Sequence, residues 1–441
     1  MNKFYNICPI SLGCEKNRYD LEAALAELMT KGHNIVYDLD NAHIIFINTC
    51  SFIKNAREEA KEYIEEAVKA KEKRPKTKII VSGCYPQKFE KELLDNYGKD
   101  IDAYCGIEVY RYIEKIISNI NSYKSNIEAP GKKWQEPKYG RINTQSLYTG
   151  NLKIAEGCNN RCAYCAIPSI RGNLRSRPMD LILNEAQNMS TSGIMELNLI
   201  AQEITAYGKD LGQKDALPDL IYRLNEINGS LKWIRLLYTY PTEITDRLIK
   251  AIKDCDKIVK YIDIPLQHGD SQVLKDMNRR GTPEEYLETI QKLREAIPDI
   301  CIRTTFIVGY PTETDKAFEN MVDFVRKAQF DRVGIFPYSR EINTPAYNIE
   351  SNVSDEILQE RCVILNDAVS EISIEKDKSF IGRKMKVLCE YRDEDYVYGR
   401  TERDALEIDN YIKIKTKRNL EGRFVTAQIT DADCFSMTGK L

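Results

Sequence analysis

Through the first 120 residues, short apolar runs bounded by turn residues alternate with stretches of helical spacing. The runs Asn6-Ile7-Cys8-Pro9-Ile10, Ile44-Ile45-Phe46-Ile47 and Ile79-Ile80-Val81 have the length of strands, and residues 21–29 and 56–73 between them read as helices. This alternation predicts an open parallel sheet, because parallel strands need the long connection that a helix supplies. Residues 121–143, which hold Asn, Ser, Lys, Pro, Gly and Trp134, break the pattern and read as a linker. Between 144 and 373 come six more apolar segments, at 152–155, 195–200, 233–238, 258–264, 302–308 and 333–337. Each leads through a turn into a helical pattern, such as 217–227 or 315–327. Six βα units predict a (βα)6 partial barrel, with a full barrel or a second open sheet as alternatives. Residues 353–375 read as one long closing helix. From 376 to 441 strand-like alternation takes over, in Met385-Lys386-Val387-Leu388-Cys389-Glu390, 396–399, 411–414 and 424–430. Short strands with polar turns predict a small antiparallel β-barrel of OB-like type. The fold class is α/β, in three domains: 1–120, 144–373 and 376–441.

The length of 441 residues agrees with that division, at roughly 150 residues per domain. With 42% hydrophobic and 30% charged residues, the chain has enough apolar side chains for three cores and does not read as disordered. No run approaches the ~18 apolar residues of a membrane helix. Met-Asn-Lys-Phe-Tyr leads straight into a strand-like run, without a basic and then apolar signal region. The expectation is a soluble cytoplasmic protein with no membrane partner. A net charge of −3 adds no global attraction to nucleic acid.

Thirteen cysteines change the picture. In a long chain without a signal segment, an odd count reads as reduced thiols rather than a disulfide framework. The three histidines, His33, His43 and His268, are not paired at helical metal-binding spacing, so a metal would be held by thiolates, as zinc or iron–sulfur. Cys158, Cys162 and Cys165 stand in Glu156-Gly157-Cys158-Asn159-Asn160-Arg161-Cys162-Ala163-Tyr164-Cys165, just after the first strand of the middle domain. Three thiolates on one short loop can bind three irons of a cubane and leave the fourth without a protein ligand. An open coordination position marks a catalytic metal site rather than a structural one. A zinc knuckle with a distant fourth ligand is the other reading. Cys14, Cys50 and Cys84 lie far apart in sequence, yet each follows an apolar strand, in Ser11-Leu12-Gly13-Cys14, Ile47-Asn48-Thr49-Cys50 and Val81-Ser82-Gly83-Cys84. Parallel strands share one carboxyl edge, where open α/β sheets bind ligands. Three thiols can converge there, or be three ordinary buried cysteines. Cys8, Cys105, Cys255, Cys301, Cys362, Cys389 and Cys434 read as core or surface thiols.

The Cys158 motif, with aromatic Tyr164 before its third cysteine and six βα units around it, resembles the radical S-adenosylmethionine superfamily. Ser11-Leu12-Gly13-Cys14-Glu15-Lys16-Asn17, Asn48-Thr49-Cys50 and Ser82-Gly83-Cys84 are similar to the N-terminal domain of its methylthiotransferase family. The resemblance implies two [4Fe-4S] clusters, one on each cysteine triad, with S-adenosylmethionine at the first and transferable sulfur at the second. It implies that the reduced first cluster cleaves S-adenosylmethionine to a deoxyadenosyl radical, which takes hydrogen from an unactivated carbon. It also implies that the methyl group passes to sulfur first, so that two S-adenosylmethionine molecules are used per product. A reduced sulfur donor (sulfide or persulfide), an electron donor such as flavodoxin or ferredoxin, and a monomer complete the expectation. Candidate S-adenosylmethionine contacts are Tyr164, Gln202 after the second strand, Arg235, Arg303 and Gly309. Arg235 and Arg303 can pair with the methionine carboxylate or form ion pairs inside the barrel. Gly309 suits close approach of adenine or a plain turn. Gln267-His268 reads as pocket lining. Arg171, Arg175 and Arg177 read as substrate contacts or as a solvated basic loop.

The family divides mainly between enzymes acting on adenosine in transfer RNA and one acting on an aspartate of small-subunit ribosomal protein S-twelve. Both carry the C-terminal barrel called the TRAM domain. Residues 390–409 hold Glu390, Asp393, Glu394, Asp395, Glu402, Asp404, Glu407 and Asp409 against Arg392, Arg400 and Arg403. An RNA-binding barrel should present cations to phosphate, whereas an acidic edge suits a basic protein, or is simply a solvated turn. Lys16-Asn17, Pro168-Ser169-Ile170-Arg171-Gly172, Gly399-Arg400 and Glu407-Ile408-Asp409 resemble the ribosomal-protein branch. Tyr19 and Leu21 stand where that branch prefers Val and Ser, and Asn343 where Gly is usual. The sequence thus reads as an enzyme forming 3-methylthioaspartate on that ribosomal protein within its subunit. A transfer-RNA adenosine methylthiotransferase and a non-catalytic metal-thiolate scaffold with closed four-ligand sites are the rival readings.

Overall fold

The computed structural model describes residues 4–122, 125–433 and 436–441, so Cys434 lies outside the described residues. The N-terminal unit runs β1 (Asn6–Ser11), α1 (Glu15–Thr30), β2 (Asn34–Ile35), β3 (Ile44–Thr49), α2 (Lys54–Lys73), β4 (Lys78–Gly83), α3 (Cys84–Tyr97), β5 (Ala103–Cys105), α4 (Ile113–Ser118) and β6 (Ser125–Asn126). Its strands are parallel in the order β2-β1-β3-β4-β5-β6. Central β3 is buried along its whole length, and its first four residues are apolar because both faces are covered. Ile44 and Phe46 pack towards α1 and α4, while Ile45 and Ile47 pack towards α2 and α3, as a period of two requires. The described part of segment 121–143 is tied to the fold, since β6 pairs with β5. Farther along it, Arg141 binds Glu22 at 2.6 Å and also Glu185.

The middle unit runs β7 (Thr149–Lys153), β8 (Ala155–Glu156), α5 (Ile167–Arg171), β9 (Arg175–Ser176), α6 (Met179–Thr191), β10 (Glu196–Ile200), α7 (Ala216–Asn225), β11 (Trp233–Leu236), α8 (Asp246–Asp254), β12 (Ile258–Asp263), α9 (Ser271–Asp276), α10 (Pro283–Ala296), β13 (Cys301–Val308), α11 (Asp315–Ala328) and β14 (Arg332–Pro337). Six parallel strands stand in the order β14-β13-β12-β11-β10-β7 and do not close on themselves. Leu197 and Leu199 of β10 join the core shared with the helices, and Glu196 and Asn198 alternate to the inner face. The two-stranded β8–β9 pair, absent from the sequence reading, clasps the loop and helix between them. Helix α12 (Asp355–Lys378) then crosses to the last unit.

That unit comprises β15 (Lys384–Arg392), β16 (Tyr396–Thr401), β17 (Tyr411–Lys415), β18 (Phe424–Ala432) and β19 (Ser436–Lys440), closed as β15-β16-β17-β19-β18. The barrel is not wholly antiparallel, because β17 and β19 run parallel. Five strands cannot alternate in direction around a closed ring, so one neighbouring pair must agree.

This barrel plugs the inner face of the six-stranded sheet. Trp233 meets Phe424 edge-on at 4.7 Å between ring centres, and Leu388 and Ala405 pack with Val259, Tyr261 and Cys301. The acidic stretch is therefore divided. Asp404 binds Arg332 at 2.8 Å, Asp409 binds Arg303 at 3.3 Å and Glu390 binds Arg400 at 2.8 Å, all facing inward, while Asp393, Glu394, Asp395 and Glu407 remain exposed. Burial pushes the Glu196 carboxyl up, but Arg400 and Arg235 outweigh it and hold it at about 2. Its ordinary value is 4.5, so the ionised group contributes on the order of 3 kcal/mol above that pH. The contribution is lost as the pH falls from 4.5 towards 2. Burial pushes Asp377 and Asp409 upward, which acts in the opposite sense. The diagnostic is thus the difference between wild type and Glu196→Gln. We expect Trp233 fluorescence to report acid release of the barrel in the wild type, and a flatter acid limb with lower neutral stability in the variant.

Candidate functional site

Three of the six motif cysteines follow a glycine in the left-handed region: Gly13 at φ 85°, Gly83 at 97° and Gly157 at 79°. A side chain at Gly13 would place its Cβ 2.4 Å from Cβ of Cys50, and one at Gly157 would stand 2.1 Å from the Asn173 carbonyl oxygen. The glycines turn the chain sharply at the strand ends and let the cysteine loops approach. Gly13→Ala should therefore displace Cys50 and lower the iron and sulfide bound after reconstitution, while the rest of the chain stays folded by circular dichroism.

Cys14, Cys50 and Cys84 converge at the carboxyl edge of the first sheet. Cys14 caps α1 and Cys84 opens α3, so the helix dipoles favour negative charge there. Asn17 ties the strand ends together. Its Nδ2 donates to the Thr49 carbonyl at 2.8 Å, and its Oδ1 accepts from Cys84 Sγ at 3.4 Å. Burial pushes the Cys50 thiol up, and the neighbouring Cys84 and Cys14 push it further.

The second triad lies on the loop after β8. Cys158 N–H donates to the Gly172 carbonyl at 3.1 Å, Ala163 N–H to Met277 at 2.8 Å and Cys165 N–H to Cys162 at 3.0 Å. Burial pushes Cys158 up to about 11 and Cys165 up to about 12, the latter helped by Cys162 and Cys158. Helix α5 begins two residues after Cys165 and packs Ala166 and Ile170 against Cys84. One short helix thus separates the two triads. All six cysteines are free thiols. Among the described residues, no three His, Cys, Asp or Glu side chains are drawn together around a single metal ion. A cubane takes each thiolate on a different iron, so the all-sulfur donor chemistry of both triads fits iron–sulfur clusters.

The arginines read as surface contacts are placed otherwise, all three buried and ion-paired. Arg171 meets Glu156 at 2.9 Å and Asp20 at 3.2 Å, bonds Asn17, and lies 3.6 Å from Cys84 Sγ. Arg175 pairs with Glu108 at 3.2 Å, and Arg177 with Glu136 and Glu185. They are neither a solvated loop nor exposed to a docking substrate, because carboxylates distant in sequence close over them. Arg235 binds Glu196 at 2.9 Å and the Glu402 carbonyl at 2.8 Å, on the side plugged by the small barrel. Arg303 bridges Asp263 at 2.9 Å and Asp409. Both take the form of ion pairs inside the barrel. Gly309 has φ 78°, but the atom nearest a side chain there is Leu358 Cδ1, so its conformation serves a turn packed on α12. His268 is buried, accepting from Asp270 N–H at 3.0 Å and facing Glu313 at 3.0 Å. Gln202 Nε2 donates to Glu156 at 2.6 Å, and its Oε1 is buried without a partner.

The sequence reading missed three features. Lys153 sits with Asp20 (2.9 Å) and Glu156 inside the Arg171 network. Lys16 lays its ammonium 3.2 Å above the Tyr238 ring, whose hydroxyl donates to Glu15 at 2.7 Å, seating the Cys14 loop over the second sheet. Arg279 reaches Cys162 and Tyr164.

Comparison with known proteins bears on this arrangement. Residues 152–325 match the radical SAM superfamily, residues 381–441 the TRAM domain, and residues 6–106 the uncharacterized protein family UPF0004. A ribosomal protein uS12 methylthiotransferase, RimO, of Thermoanaerobacter is 43% identical over 99% of both chains. The chain belongs to the uS12 methylthiotransferase family. The RimO of Geobacter sulfurreducens is 40% identical over 98% of this chain and 97% of that one. As a member, the chain is a radical SAM methylthiotransferase, and the superfamily implies a [4Fe-4S] cluster and S-adenosylmethionine. Solved structures agree on the fold. The radical S-adenosylmethionine methyltransferase TsrM of Kitasatospora setae aligns with a TM-score of 0.56 at 14% identity, over 78% of this chain and 77% of that one. OxsB aligns at 0.53 and 13%, over 84% of this chain and 56% of that one. Asn343, expected from the resemblance to be Gly, stands in the left-handed region. Its φ is 63°, a conformation that Asn tolerates better than most residues.

Proposed function

We propose that this enzyme places a methylthio group on an aspartate of ribosomal protein uS12, within the small subunit, forming 3-methylthioaspartate. The observation that carries the reading is the juxtaposition of two three-cysteine sets across α5. Cys158, Cys162 and Cys165 hold the cluster that binds S-adenosylmethionine, and Cys14, Cys50 and Cys84 hold a second [4Fe-4S] cluster that receives sulfide or persulfide. The clusters supply electron transfer and a sulfur-binding iron when bound. The chain's own residues orient and enclose them. Tyr164 packs its ring among Val273, Met277 and Tyr310 and so fixes the Cys165 end of the loop. Gln202 offers its free Oε1 to the methionine ammonium of S-adenosylmethionine. Lys16 and Tyr238 close the space between the units.

Domains at 1–120, 144–373 and 376–441 then divide the work among sulfur delivery, radical formation and substrate docking. The acids left exposed on the small barrel suit a basic ribosomal protein. An electron donor of flavodoxin or ferredoxin type, a monomeric state and a cytoplasmic location belong to the same proposal. Among the described residues no helix is long and apolar enough to cross a membrane. The test is an anaerobic turnover with S-adenosylmethionine, sulfide and a low-potential reductant, with small ribosomal subunits and transfer RNA in one tube, read by mass spectrometry. A methylthio gain on an aspartyl peptide of uS12 is expected. A gain on adenosine instead would overturn the substrate and keep the chemistry.

A further inference from the structure

The buried arginines described above each meet a carboxylate. Arg279 does not. Among the described residues, no Asp or Glu oxygen lies within ion-pair distance of it. Its Nη1 points at Cys162 Sγ (3.8 Å) and the Tyr164 hydroxyl (3.2 Å), and its Nη2 donates to the Pro265 carbonyl at 2.6 Å. The guanidinium lies 4.5 Å from the centre of the Tyr240 ring, and its Nε is buried without a partner. A guanidinium keeps its charge in a protein, and burying a charge is costly unless an opposite charge meets it. Among the described residues, the groups beside it that can supply negative charge are Cys158, Cys162 and Cys165, which become thiolates on ligating iron.

We propose that Arg279 is the charge-compensating positioning residue of the first cysteine triad. It donates to the Cys162 thiolate, holds Tyr164 in place, and makes it easier for the triad's metal centre to accept one electron from a low-potential reductant. The inference rests on the reading that this triad binds a [4Fe-4S] cluster. Uptake of one electron, without a proton, adds one negative charge to a site already bearing three thiolates, and the fixed cation of Arg279 opposes that build-up. Arg171 contrasts with it. Beside Cys84 its charge is already answered by Asp20 and Glu156, so it offers the other triad far less compensation. The two triads thus differ in local charge, and the added electron is favoured at the Cys162 side.

The test uses the full chain, reconstituted anaerobically with iron and sulfide, as wild type, Arg279→Met and Arg279→Lys. The readout is the midpoint potential of the electron-paramagnetic-resonance signal that changes on adding S-adenosylmethionine. The Met variant is expected to shift its reduction equilibrium at least about tenfold towards the oxidised form, which for one electron is about 59 mV. The Lys variant, which keeps charge but not the fork, should recover most of that shift. A Met midpoint equal to wild type overturns the proposal, as does a Lys variant that falls as far as Met. If Met takes up no iron at this site, the Lys variant decides: a near-wild-type midpoint supports the assignment, and a Met-like loss of cluster overturns it. Failure of the underlying reading looks different, since Cys158→Ala would then keep the same signal.

Discussion

Cys14→Ala protein is expected to cleave S-adenosylmethionine to methionine and deoxyadenosine at close to the wild-type rate, yet to attach no methylthio group to ribosomal protein. Cys158→Ala is expected to do neither. The asymmetry follows from where the chain puts each residue. Cys158 lies on the loop between β8 and α5, held to Gly172, so losing it removes one of the three ligands proposed for the radical-forming centre. Cys14 belongs to a different sheet, which Cys84 joins to that loop through α5 and Arg171. Deoxyadenosine and methylthio product, measured by chromatography and mass spectrometry in the same anaerobic reaction, separate the roles. Full product from Cys14→Ala would remove the second cluster from the mechanism. Loss of cleavage in Cys14→Ala would mean that the two triads act as one centre.

The place of the six cysteines at strand ends was legible because each carries a local mark, either close spacing after a strand or a position just past a β-run such as Ile47-Asn48-Thr49-Cys50. The six parallel strands of the middle unit were legible as short, mostly apolar segments, whereas the β8–β9 pair was not. What failed was anything decided by partners far away in sequence. Arg171, Arg175 and Arg177 look like a basic surface run until Asp20, 151 residues away from Arg171, and Glu108 and Glu136 fold over them. Arg303 has one of its carboxylates in another unit. Strand β19, Ser436–Lys440, has no apolar alternation to betray it and is held between β17 and β18. Arg279 stands beside a second arginine in Asn278-Arg279-Arg280. No sequence signal distinguishes it from Arg280, which pairs with Glu243 at 2.6 Å on the surface.

The same long-range logic yields the largest expected effect on stability. At the junction of the first two units, Asp20 and Glu156 face Lys153 and Arg171, two carboxylates against two cations, all nearly inaccessible to water. Burial pushes the Glu156 carboxyl up, but Arg171 and Lys153 together hold it well below the usual carboxylate range. Arg171→Met leaves one negative charge buried without a counter-ion and should cost about 3–5 kcal/mol. Trp134 reports the event, because its indole lies 6.3 Å from Tyr19, 5.7 Å from Lys153 and 5.5 Å from Arg177 across this junction. Its fluorescence midpoint in urea should fall by about 1–2 M, for slopes of a few kcal/mol/M. Trp233, at the other junction, should keep its midpoint. Charge balance, rather than the arginine itself, is the claim, so Asp20→Asn added to Arg171→Met should recover much of the loss, as a coupled pair in a double-mutant cycle does. If the double variant is as unstable as the sum of its parts, packing around the arginine and not charge holds the units together. Product formation should fall further than S-adenosylmethionine cleavage in the single variant, because Arg171 joins Cys84 to the loop that carries the other three cysteines.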